Sequence, residues 1–273
     1  MLSSENNNEF ALKFSSILLI MKPYILAESH WKTVKDQKID LAVLPWGATE
    51  AHNLHLPYST DNVLAERVAH DSAKIAWDKG AKVIVLPAVP FGVNTGQLDI
   101  RVNININPST QLAILDDIID VMNRHQIYKF LILNGHGGND FRQMIRELGV
   151  KYPKMFICGC NWFQSFDNSE FFDKSGGHAD EMETSIMQYV APELVLPLNE
   201  AGKGYGKKFR IKGFNEGWAW AERKWTQVTS DTGIGDPSAA TPEKGKKCFD
   251  EIVRKISELM FDLSKADNND MYV

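Results

Sequence analysis

Three short apolar runs punctuate the first half of the chain: IDLAVLP (39–45), KVIVLPAVP (82–90) and KFLILNG (129–135). Each is apolar at consecutive rather than alternating positions, rich in Val, Ile and Leu, and closed by Pro or Gly. Parallel strands covered on both faces have this pattern. KMFICGCNWF (154–163) reads as a fourth strand. Helical spacing fills the gaps. DNVLAERVAHDSAKIAWDKG (61–80) carries Val63, Leu64, Val68, Ile75 and Ala76 and stops at Gly80. PSTQLAILDDIIDVMNRHQI (108–127) repeats Leu112, Leu115, Ile118, Ile119 and Met122, and DFRQMIRELGVKYP follows the third strand. ADEMETSIMQYVAPELV has an acidic first turn, as the helix dipole favours, and 242–266 reads as a terminal amphipathic helix. Strands alternating with helices predict an α/β protein, a three-layer α/β/α sandwich around a mostly parallel sheet.

Two stretches break the pattern. SSENNNEF is polar and low in complexity, so residues 1–20 are expected to be a disordered extension and 21–273 a single domain. Residues 200–240 are rich in Gly, Lys and Trp with weak periodicity, which suggests an excursion over a site or a subunit boundary.

Composition narrows the function classes. The 273 residues carry a net charge of −5 and no long basic block, which argues against a phosphate-neutralising surface for nucleic acid. No segment approaches the roughly 18 apolar residues that span a membrane. Three cysteines in a chain of this size do not indicate a disulfide framework. Cys158-Gly-Cys160 reads as part of a buried strand rather than a metal or redox pair. The expectation is a cytoplasmic protein without nucleic-acid or membrane partners.

Candidate chemistry sits where the strands end. In open α/β sheets, sites lie beyond the carboxyl ends of strands. The first strand runs into GATEAHNLHLPYSTDN (47–62), with Glu50, His52, His55 and Asp61. The third runs into NGHGGND, with His136, and GGHADEMETS adds His178, Asp180, Glu181 and Glu183. Mixed carboxylates and imidazoles are what divalent Zn, Mn or Fe take. Glu50-x-His52 places both side chains on one side of an extended segment. Asp61 approaches from another direction, as a bridging ligand would. Each piece alone has a plainer reading: a loop acid, a helix cap, a surface imidazole, a tight turn. NGHGGND lacks the glycine spacing of dinucleotide sites.

Taken in order, LPWGATEAHNLHLPYSTDN, LPAVPFGVNTGQ, LILNGHGGND, GGHADEMETS and TGIGDPSAATPEKGKK resemble the creatininase (creatinine amidohydrolase) family. The resemblance implies a creatininase-like fold and hydrolysis of a small cyclic or linear amide by a metal-activated hydroxide. It implies two divalent ions per chain and a homo-oligomer, most often a hexamer. Carried onto this chain, it implies metal ligands at Glu50, His52, Asp61 and His136, with Asp61 bridging, and His178 beside the substrate as the proton-transfer residue. The chain departs from the creatinine-hydrolysing members at two places. Gly137 and Gly138 stand where those enzymes have Tyr and a ligating Glu, so Glu183 is the expected substitute ligand. Lys174 and Ser175 stand in the stretch of a substrate-contacting Trp-Asp pair. Glu181 is a candidate to orient His178, and His55 to hold a ligand histidine in its tautomer. Phe91, Trp162, Trp218, Trp220 and Trp225 are candidates to line the pocket. The other readings are a formamide deformylase or small-peptide amidase on the same scaffold, and a metal-binding subunit without catalysis.

Overall fold

The computed structural model describes residues 22–174 and 176–273; the expected extension at 1–20 lies outside them, as does Ser175. Four parallel strands form one sheet: β1 (Leu41–Trp46), β2 (Val83–Val85), β3 (Lys129–Asn134) and β4 (Phe156–Asn161), in the order β2-β1-β3-β4. In register, Val43 lies against Val85 on one side and Leu131 on the other, and Leu131 lies against Cys158. Five longer helices accompany the strands: α1 (Thr60–Asp78), α2 (Pro108–Arg124), α3 (Arg142–Lys151), α4 (Glu181–Val190) and α5 (Pro242–Lys265).

Alternate strand residues point to opposite faces, and each face has its own core. Leu41, Val43, Val83, Val85, Leu131 and Leu133 pack with α1, α4 and α5. Ala42, Leu44, Ile84, Phe130 and Ile132 pack with α2 and α3. The consecutive apolar runs follow from this double coverage. The sandwich expected from the sequence is the one observed.

Differences are local. The expected strand 82–90 shrinks to Val83–Val85 because Pro87 and Pro90 cannot donate to a ladder. Helix α4 ends at Val190, short of 195, because Pro192 disfavours helical backbone in the residue before it, and Ala191 leaves the helix (φ −152°, ψ 60°). Cys158 and Cys160 lie in β4, as expected, but the strand is half-buried there rather than buried. Among the described residues, no helix is long and apolar enough to cross a membrane.

Candidate metal centre

β1 leads through α1 to β2 on one side, and β3 leads through α3 to β4 on the other. The chain therefore diverges between the adjacent carboxyl ends of β1 and β3, and a crevice opens there. The loop after β1 delivers Glu50 and His52, the first turn of α1 delivers Asp61, and the loop after β3 delivers His136. His178 precedes α4, and Glu183 sits in its first turn. All of these are buried except Glu183, whose side chain is slightly exposed.

Each of the three histidines has one nitrogen tied to a backbone carbonyl. His52 Nδ1 lies 3.1 Å from Glu50 O, His136 Nε2 3.0 Å from Val93 O, and His178 Nε2 2.9 Å from Ala51 O. A carbonyl only accepts, so these nitrogens carry the hydrogens. The opposite nitrogens face acids. His136 Nδ1 is 2.9 Å from both Glu50 Oε1 and Asp61 Oδ2. His52 Nε2 is 3.1 Å from Asp61 Oδ1 and 3.9 Å from Glu183 Oε2. His178 Nδ1 is 3.7 Å from Glu50 Oε1.

Lone pairs facing carboxylates repel unless a cation lies between them. A proton or a metal ion meets that need. Asp61 Oδ2 is buried and lies off the line of any hydrogen bond, although His136 is close. Three sets of donor atoms fall within 4.8 Å of one another: Glu50, Asp61 and His136; His52, Asp61 and Glu183; and Glu50, His52 and His178. Asp61 thus offers one oxygen to each of two neighbouring sets. The residues fit divalent metal.

The electrostatics agree. Burial opposes charge on His52, but the Asp61 carboxylate and its hydrogen bond, then Glu183 and Glu50, outweigh it and push the imidazole up to about 10. Burial likewise opposes charge on His136, and Glu50 and Asp61 raise it well above its ordinary value. Burial would raise the Glu50 carboxyl, yet the charge of His136 and its neighbours holds it well below the carboxylate range. Where no ion is bound, a proton on the imidazole would meet the same need. Asp180, which caps α4 by accepting from Glu183 N at 3.1 Å, is pushed up to about 7 by burial and then by the Glu183 charge.

Two expected roles are not the ones observed. Glu181 does not reach His178: it accepts from Lys174 N (2.8 Å) and from the Lys244 ammonium. His55 holds no ligand histidine in its tautomer, since backbone carbonyls do that; its Nε2 pairs with Thr184 Oγ1 at 2.9 Å. Burial, then the His52 charge, push His55 down to about 4.

Gln97 was not singled out from the sequence. Its Nε2 donates to Glu50 Oε2, and Asn103 Nδ2 donates to its Oε1, so the Gln97 amide is held at both ends and orients Glu50 from one side. The one signal was its place in LPAVPFGVNTGQ, the chain leaving β2 at the same sheet edge.

Glycine at 138 has a packing reason. A Cβ there would stand 2.3 Å from Val93 O and 2.4 Å from His136 Nε2, so this loop cannot carry a glutamate at that position. Asn134 and Asn139 hold the loop: Asn134 Nδ2 donates to His136 O at 2.8 Å, and Asn139 Nδ2 to Asn134 Oδ1 at 2.9 Å.

A cavity of about 740 Å³ opens over the cluster. Trp220 and Trp225 line it, together with Arg142, Glu222 and Arg223. Of the other aromatic candidates, Trp162 is buried in the core, and Phe91 and Trp218 are exposed away from the lining. The 200–240 excursion therefore does cover the site, through its 220–225 part.

A parallel-sheet α/β protein with an acid–imidazole cluster at its switch point, under a deep cavity, has the make-up of a metal-site enzyme. The creatininase (creatinine amidohydrolase) family model matches residues 27–260, and the chain belongs to that family of hydrolases. A solved structure from Bacteroides fragilis NCTC 9343, provisionally named a creatinine amidohydrolase, is 42% identical with a TM-score of 0.87, over 92% of this chain and 99% of that one. A crystal structure of creatininase shares the fold at 18% identity and a TM-score of 0.75, covering 90% of this chain and all of that one. The mycofactocin precursor peptide peptidase of Mycobacterium ulcerans is 24% identical, over 77% of this chain and 80% of its own length.

Proposed function

We propose that the protein is a binuclear metal-dependent amidohydrolase that opens a small linear or cyclic amide at a C–N bond outside ordinary peptide chains. The observation that carries this reading is Asp61, with its two oxygens directed to two separate donor sets. One ion would be held by Glu50, Asp61 and His136, the other by His52, Asp61 and Glu183. Carboxylate and imidazole ligands accept Zn, Mn or Fe. When bound, such a pair supplies a water acidified toward neutrality and polarises the amide oxygen.

The chain's own residues do the rest. Gln97 orients Glu50, and the carbonyls of Glu50 and Val93 keep the ligand nitrogens of His52 and His136 bare. His178 presents Nδ1 beside Glu50 while Ala51 O holds its Nε2 hydrogen. Nδ1 is thus the atom that would take up a proton and pass it to the leaving nitrogen.

Creatinine itself is disfavoured as substrate. Gly138 cannot carry the glutamate that the creatinine-hydrolysing members use, and Lys174 is engaged with Asp236 and Ser238. The roomy cavity and the peptidase relative favour a second form of the reading, a formamide deformylase or small-peptide amidase. The test is a panel of creatinine, formamides and blocked short peptides with metal-resupplied protein. At least one amide should be hydrolysed, with activity lost to a chelator and restored by metal. A fully metal-loaded protein inert toward every amide would instead support a metal-binding subunit without catalysis.

We also infer a cytoplasmic homo-oligomer, a hexamer by family resemblance. The exposed Trp218 and Trp220 support an interface in this region, and light scattering tests it.

A further inference from the structure

Residues 220–225 bring one cation, Arg223, to the cavity. The Arg223 guanidinium carbon lies 4.6 Å from the Trp225 ring centre. Trp225 is itself buried, stands edge-on to the His178 imidazole at 5.4 Å, and is anchored by its Nε1 donating to Thr232 O at 3.2 Å. The backbone beneath is fixed by Gly96, where a Cβ would meet Arg223 O at 2.2 Å. Arg223 is thus tied through one aromatic ring to the proton-transfer histidine.

Among the described residues, the guanidinium has no hydrogen bond and no carboxylate within 4.0 Å. The acids around it are engaged elsewhere. Glu222 accepts from Thr95 Oγ1 at 3.1 Å, and Asp99 accepts from Thr226 Oγ1 at 2.7 Å and lies 3.8 Å from Lys224 Nζ. Arg223 is exposed on the cavity side, and an arginine packed over an aromatic ring keeps its planar fork available to a bidentate anion.

A carboxylate entering this cavity meets the acids Glu50, Asp61 and Glu183 and needs a cation of its own; Arg223, across the Trp225 ring from His178, offers one.

We propose that Arg223 anchors a carboxylate of the substrate, so that the natural substrate is an acidic amide such as an N-acyl amino acid or a short peptide with a free C-terminus. This deepens the amidohydrolase reading and rests on it for the position of the scissile bond.

The test measures binding rather than turnover. Metal-loaded protein is titrated with N-acetylglycine and, separately, with its uncharged counterpart N-acetylglycinamide, by calorimetry. The wild type should bind the acid about tenfold or more tightly than the amide. Arg223→Gln should lose most of that preference at unchanged metal content, and Arg223→Lys should keep part of it. Equal binding of the two probes by the wild type, or no detectable binding of the acid, overturns the proposal. So does a preference that survives in Arg223→Gln, which would put the carboxylate on the metals or on Arg142. Turnover separates the two readings: preference without hydrolysis of any amide leaves the anchor standing and removes the hydrolase, and hydrolysis without preference does the reverse.

Discussion

Glu181 and Glu183 lie two residues apart in the first turn of α4, and their fates are opposite. Two helical residues turn the side chain by about 200°. Glu183 faces His52 and Asp61 in the crevice, whereas Glu181 faces Lys244 on α5 and the backbone of Lys174. Lys244 closes that second cluster by also pairing with Asp173 at 2.6 Å, while Lys174 pairs with Asp236. One acid is neutralised by a fixed ammonium. The other shares bare imidazole nitrogens with two more acids and lacks a fixed cation. The partner, and not the acid, separates a structural ion pair from a ligand. A buried carboxylate facing a lysine is complete as it stands, but a set facing lone pairs needs a proton or a metal.

The sharpest way to break the comparison is at Asp61, which belongs to both donor sets. Asp61→Asn should lower amide turnover on the order of 10³-fold, since each ion stabilises the transition state by several kcal/mol. A turnover assay under metal-saturating conditions checks this. Glu183→Gln touches one set only, so the loss should be smaller, about 10²-fold, and should be partly restored by excess metal. Glu181→Gln should leave turnover within about twofold while lowering the thermal midpoint by a few degrees, because a buried acid of an ion pair is lost. A thermal melt alongside the assay separates the two glutamates.

The comparison is sharpened further by a pH dependence. In chelated protein, His52 is raised from its ordinary 6.5 to about 10. A raised pKa means that the folded state holds a proton the unfolded state releases. The stabilisation is therefore fully present below about pH 6.5 and fades as pH rises toward 10. Melts of the chelated protein should decline across that window. The metal-loaded protein should not, because the ions already occupy the imidazoles, and metal uptake near pH 7 should release protons.

Much of this was legible in the sequence. Consecutive apolar runs closed by Pro or Gly located the strands because both sheet faces are covered. The acids and histidines converged because strand ends converge. What stayed hidden depended on partners that side-chain identity does not encode. The carbonyls of Val93, Ala51 and Glu50 fix the histidine tautomers, and any residue could have supplied them. The sequence points to Glu183 as the ligand, but the partner that gives Glu181 its role, Lys244, lies 63 residues away from it and was not legible. Gln97 and Arg223 lie in stretches without periodicity, where no pattern aims a side chain.

The central claim is that Asp61 bridges two ions and that Glu183, not Glu181, completes the second. Elemental analysis of metal per chain, on wild type, Glu183→Gln and Glu181→Gln purified side by side, tests it directly. The account predicts two ions, one ion and two ions, in that order. Two ions retained in Glu183→Gln, or a single ion in the wild type after metal resupply, would contradict it.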